Sequence, residues 1–251
     1  MCCFSRPIND VRDTNIFARF GADGLQTIVY SMYLDSAVDV SMILPIPVRR
    51  PASEKAVSFI DLSGYEDFFK DMKSGFPAPT PAPLSRAMPK AANTFGPQLE
   101  VKKVGSFDAS FVPTVADFSR LSPEFRLPEG TWDALPAYKN FGFAVFKLRK
   151  TAAKVHPMAF TFPSADPSKL FFPTVHIHDG KVHKKAEFHH DLFCQVAGST
   201  KAMTQWVESP GLAKNFVKVA KTKGIVAGDR HVYRMKLNGE LKNVDTLVAL
   251  A

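Results

Sequence analysis

The hydrophobic pattern begins as strand. "TNIFARF" (Thr14–Phe20) and "LQTIVYSMYLDS" (Leu25–Ser36) are β-branched and aromatic runs separated by Gly21-Ala-Asp-Gly24, a turn signal. "VDVSMILPIPV" (Val38–Val48) continues in extended style. Its Pro45 and Pro47 cannot donate ladder hydrogen bonds, which predicts an edge strand or an exit from the sheet. "AVSFIDL" (Ala56–Leu62) reads as another strand. The period then changes: Tyr65, Phe68, Phe69 and Met72 follow helical spacing, with Ser63 and Glu66 as a capping box and Gly75 as the stop.

A Pro- and Ala-rich connection at about 77–97 follows, stiff and irregular because each proline fixes its own φ and restricts its neighbour. A short helix is expected at Val115–Leu121. Strand patterns return in Phe141–Arg149, His156–Phe162, Lys169–His178 and "KVHKKAEF". Ser209-Pro210 opens a predicted helix that Gly224 closes, and Asn238-Gly239 predicts a hairpin. Strands without β-α alternation predict an α+β protein, a predominantly antiparallel β-sheet with a few flanking helices, in one domain spanning 1–251.

The "MCCF" opening and "MILPIPV" (Met42–Val48) resemble part of an uncharacterised bacterial protein family, a likeness that implies no activity.

Composition narrows the reading. Phe is abundant, 22 residues against five Tyr and two Trp, which predicts a Phe-rich core rather than an aromatic platform. The net charge is +8, but the basic residues are scattered in pairs, and Lys214, Lys218, Lys221 and Lys223 fall on the outer side of a predicted helix. That distribution argues against nucleic acid as a partner. No apolar run is long enough to span a bilayer. The N-terminus lacks a signal-peptide h-region. Three cysteines, two adjacent, make no disulfide framework, so a reducing, cytoplasmic setting is expected.

The chemistry concentrates in "VHIHDGKVHKKAEFHH" (Val175–His190), which holds five of the seven histidines. Asp179-Gly180 is a favourable type I′ loop, and counting outward pairs His176 with His183. Strand alternation then sets His176, His178 and His183 on one face, with Cβ atoms about 4.5–7 Å apart, close enough to share a metal. His190 and Cys194 are reserve ligands, and Glu187 or Asp191 could orient a ligand imidazole. The pattern is similar to strand-borne His-x-His sites of carbonic anhydrases and cupins, although the glycines flanking the cupin motif are missing. The expectation is one transition-metal ion, zinc or copper ahead of iron, in a metal-binding protein or metalloenzyme with a small-molecule substrate: a zinc hydrolase or lyase, or a copper or iron oxidoreductase.

Two alternatives remain open. If Met1 is removed, Cys2 carries a thiol beside a free amine, as in the N-terminal-nucleophile hydrolases whose Met-Cys opening it resembles, and would be the nucleophile of an amidohydrolase. Otherwise the chain is a non-enzymatic binding or structural module.

Overall fold

The computed structural model describes residues 2–76, 102–105, 107–123, 126–128, 130–179, 181–196 and 203–250. The Pro-rich connection expected at 77–97 lies outside them. In chain order the strands are β1 (Cys2–Phe4), β2 (Asp10–Phe20), β3 (Leu25–Ser36), β4 (Val40–Ile46) and β5 (Ser58–Asp61), followed by the helix α1 (Phe68–Ser74). Next come β6 (Lys102–Val104), β7 (Phe107–Val112), β8 (Gly142–Leu148), β9 (Thr151–Lys154) and β10 (Met158–Pro163). The last third adds β11 (Lys169–Phe172), β12 (His176–Ile177), β13 (Lys185–Gln195), β14 (Val207–Glu208), β15 (Tyr233–Lys242) and β16 (Thr246–Ala249).

Two large sheets result. One runs β12-β1-β4-β8-β7-β6. The other runs β14-β15-β13-β2-β3-β10-β5, with β9 extending the ladder of β3. β11 and β16 form a separate pair. Both large sheets are mixed: β1 pairs parallel with β12, and β13 pairs parallel with β2, while the other ladders are antiparallel. Among the described residues strand outweighs helix by 45% to 13%. The expected α+β class with flanking helices is therefore corrected to a β-rich fold with mixed sheets.

Each sheet is covered on both faces, which explains runs that are apolar throughout instead of alternating. Ile16, Ile28, Met42, Phe146, Phe160 and Leu192 meet between the sheets. On the far side of the larger sheet, Phe17, Val29 and Phe193 pack against Phe68, Phe69 and Met72 of α1 and against Val217 and Ile225. On the far side of the smaller sheet, Ile43, Phe143 and Val145 take Phe118, Leu121 and Leu135. β4 is buried at all seven positions and lies between β1 and β8. Its Pro45 pairs opposite Phe143, so the expected edge strand is an interior one.

Four local expectations are not met. The segment after Ser209-Pro210 forms short 3₁₀ turns, Ala213–Asn215 and Val219–Thr222, because its amides bond elsewhere. Ala213 N donates to Arg230 O and Lys214 N to Gly228 O, and Lys223 turns left-handed at φ 52°. Asn238-Gly239 makes no hairpin: β15 runs straight through it, with Asn238 opposite His189 and Gly239 opposite Phe188. Before α1, Ser63 N donates to Asp61 Oδ1, and Asp67 stands at the N-cap without a side-chain cap bond. Where Val115–Leu121 was expected to be helical, a 3₁₀ segment forms over Val115–Arg120. It is capped reciprocally by Thr114 and Asp117.

Phe160 is fully buried between the sheets, with Phe59, Phe146 and Phe162 around it. Phe160→Ala is expected to cost about 3–5 kcal/mol, read as a lowered midpoint in urea unfolding. Val207→Ala, at a residue 63% exposed, is expected to stay within about 0.5 kcal/mol of wild type.

Candidate functional site

The histidine segment does not fold as the predicted hairpin. β12 holds only His176 and Ile177, and it pairs with β1, placing Cys2 opposite His176 and Cys3 opposite Ile177. Gly180, half of the expected turn, lies outside the described residues, and β13 starts only at Lys185. Asn243 secures the segment. Its Oδ1 accepts from His176 N at 2.6 Å, and its Nδ2 donates to His176 O at 2.8 Å and His183 O at 3.0 Å. Beside it, Asp245 accepts from Thr174 N, Val175 N and Tyr138 Oη. No local pattern in "LKNVD" marks either residue for that task.

The imidazoles divide into two groups. His176, His178 and His190 come together in the interior. The Nε2 atoms of His176 and His190 are 3.1 Å apart, one ring donating and the other accepting. The His176 and His178 rings stack with centroids 4.9 Å apart. Phe4 and Phe188 complete the cluster. Burial holds all three imidazoles neutral, pushing His176 down to about 3, His178 to about 4 and His190 well below its ordinary value. His178 Nε2 and His190 Nδ1 are buried without a hydrogen-bond partner.

His183 and His189 stay outside this group. His183 is exposed, with Nε2 2.9 Å from Asp179 Oδ2, and His189 faces solvent 3.9 Å from Glu187. Cys194 lies in the core, where burial pushes its thiol up. Asp191 orients no imidazole. Burial pushes its carboxyl up, but Lys73 at 2.9 Å and Arg234 at 2.7 Å outweigh that and hold it below the usual range.

The predicted ligand set therefore does not assemble. Among the described residues no ladder sets His183 opposite His176, and His176 and His190 spend their Nε2 atoms on each other. Among the described residues no group of three or more His, Cys, Asp or Glu side chains is placed to hold a metal ion. β1 is threaded between β12 and β4, with Cys3 buried.

A cleft opens nearby, on the α1 side of the larger sheet. Its volume is about 370 Å³, and its lining includes Arg12, Asp13, Lys73, His190, Asp191 and Lys236. It lies where β2 and β13 part company. Their parallel ladder begins at Thr14 and His190, and a bulge between Arg12 and Asn15 interrupts β2, with Asp13 in the left-handed region at φ 51°.

No protein-family profile and no curated protein matches the sequence. Solved structures do match the fold. Baculovirus P35 superposes with a TM-score of 0.52 at 10% identity, over 96% of this chain and 97% of its own. A mutated baculovirus P35 after caspase cleavage gives 0.51 at 10% identity, over 96% and 100%. A caspase-8/P35 complex gives 0.48 at 10% identity, over 95% and 96%. The likeness shows a shared fold.

With the absent ligand cluster, this fold overturns the metal-binding reading. The zinc, copper or iron metalloenzyme, its small-molecule substrate and the Cys2 amidohydrolase are all corrected. A mutated P35 is recorded after caspase cleavage, so the partner recorded for that protein is a protein. No helix of the described residues is long and apolar enough to cross a membrane.

The neutral imidazoles set a pH dependence. In the unfolded chain a histidine protonates near pH 6.5, whereas folded His178 and His176 resist until about 4 and 3. The unfolded chain binds more protons across that window. Stability is therefore full above about pH 6.5 and falls as pH drops towards 4 and 3, by about 1.4 kcal/mol per pH unit for each imidazole. Urea midpoints measured down this range should fall less steeply for His178→Gln than for wild type. Equal slopes would contradict the assignment.

Proposed function

We propose that this chain is a non-enzymatic protein-binding module whose partner is a peptidase. The observation that carries the reading is the P35 likeness, which runs through both sheets and nearly the full length of each chain. A mutated P35 on the same fold has been cleaved by a caspase, and a peptidase partner is the extension of that fact to this chain. The side chains are consistent with binding rather than turnover. The three interior histidines are neutral and bonded or stacked among themselves, and the Cys194 thiol is buried in the core. Cys194 is a free thiol, which suits a reducing, cytoplasmic compartment.

The test uses the full chain against a panel of purified cysteine peptidases that includes a caspase. Residual activity is followed on a fluorogenic peptide and the chain by intact mass. The expected result is loss of activity of at least one peptidase at near-equimolar chain, together with a stable complex or one discrete cleavage of the chain. Undiminished activity across the panel, with the chain intact and uncomplexed, would contradict the reading.

A further inference from the structure

The cluster of His176, His178 and His190 lies on the seam between the two sheets. His176 belongs to β12, the end of the smaller sheet's strand order, and His178 follows it. His190 belongs to β13 of the larger sheet, and the rings of Phe188 on β13 and Phe4 on β1 close the cluster. β12 is a strand of two residues. It is tied by two register positions to β1, by the side chain of Asn243 and by the contact of His176 with His190. Ile177 packs in one layer with Cys3 and Ile43, so β12 and β1 share a seat. With no metal-binding group among the described residues, the chemistry open to these imidazoles is proton uptake.

The contact between the sheets works in one protonation state. The Nε2 atoms of His176 and His190 are 3.1 Å apart, so one carries the hydrogen and the other supplies the lone pair. A proton on the accepting Nε2 sets two N–H groups against each other. His178 Nε2 and His190 Nδ1 are buried without a hydrogen-bond partner, so a hydrogen placed there meets no acceptor. The groups around the cluster do not compensate for added charge. Asp179 is the carboxylate that acts on it, through His178, and it is exposed and engaged with His183. His189 on β13 and the terminal amine ahead of β1 both oppose a further positive charge. Glu187 sits with His189 on the exposed face of β13. Asp245 is occupied by Thr174 N, Val175 N and Tyr138 Oη, and Asn243 offers a neutral amide.

We infer that the His176–His178–His190 cluster is an acid-sensitive latch, in which proton uptake breaks the His176–His190 contact and frees β12 and β1 from β13. The open form takes up protons at the ordinary histidine pH of about 6.5, and the closed form excludes them. Below that pH the open population therefore grows about tenfold per pH unit for each imidazole that charges. The β2–β13 ladder stays closed meanwhile. Its side chains Ile16, Phe17, Leu192 and Phe193 are apolar and buried, and Lys73 and Arg234 keep Asp191 ionised below the usual carboxylate range. The latch belongs to the fold itself and does not rest on the peptidase reading.

The test is amide hydrogen exchange of the full chain from about pH 7 down to about pH 5, each rate taken relative to the same chain unfolded in urea at that pH. Protection of residues 4–5 and 174–177 should fall by about tenfold or more across this range, while residues 16–18 and 192–194 keep theirs. His190→Gln puts an uncharged amide in place of the imidazole and should flatten the fall. His183→Gln, at the exposed histidine, should leave the fall as in wild type. If His190→Gln lacks protection already at pH 7, His178→Gln takes its place. Unchanged protection of residues 4–5 and 174–177, a fall shared equally by the ladder, the same fall in the buried-histidine variant, or its loss in His183→Gln would overturn the latch.

Discussion

The parallel pairing of β2 with β13 is the contact on which the rest of the structure depends. It joins Thr14–Arg19 to His190–Gln195 across most of the chain. The inner side chains of this pair, Ile16 and Leu192, belong to the core between the sheets, and the outer ones, Phe17 and Phe193, to the layer that seats α1. A non-local ladder of this kind closes a long loop before any contact rewards it, and the burial of Phe-rich surface on both faces is what offsets that cost. The same pairing stops at His190. Where it stops, the strands splay and leave both the cleft and the interior cluster of His176, His178 and His190.

That geometry also decides the chemistry of the histidines. Three imidazoles held away from water with few hydrogen-bond partners favour the neutral form, so they act as packing groups that tolerate neutral pH and resist acid poorly. A neutral imidazole in a wall of Phe4 and Phe188 contributes stacking area and one shared proton between His176 and His190.

Much of the strand content was legible from local pattern. Thr14–Phe20, Leu25–Ser36, Phe141–Arg149 and His156–Phe162 each fall on a strand, because β-branched and aromatic runs suit a sheet wherever it lies. The helical spacing of Phe68, Phe69 and Met72 likewise coincides with α1. What local pattern could not convey was partnership. Asp179-Gly180 and Asn238-Gly239 carry strong hairpin chemistry, yet β12 pairs with the chain's own start and β15 runs unbroken along β13. The clustering of histidines did point to a shared environment for His176 and His178. His190 joined them in place of His183 because register came from β2, not from a turn. Neither Asn243 nor the splay of β2 from β13 leaves a mark in any short window of sequence.

The proposed function is capture of a peptidase by this chain. Hydrogen–deuterium exchange on the full chain, free and bound to a captured peptidase, tests it most directly. Amides of Ile16–Ala18 and Leu192–Cys194, in the buried ladder, should exchange slowly in both states, and a contiguous surface segment should gain protection only in the complex. Exchange unchanged in every segment on mixing with the peptidases would contradict the proposed function.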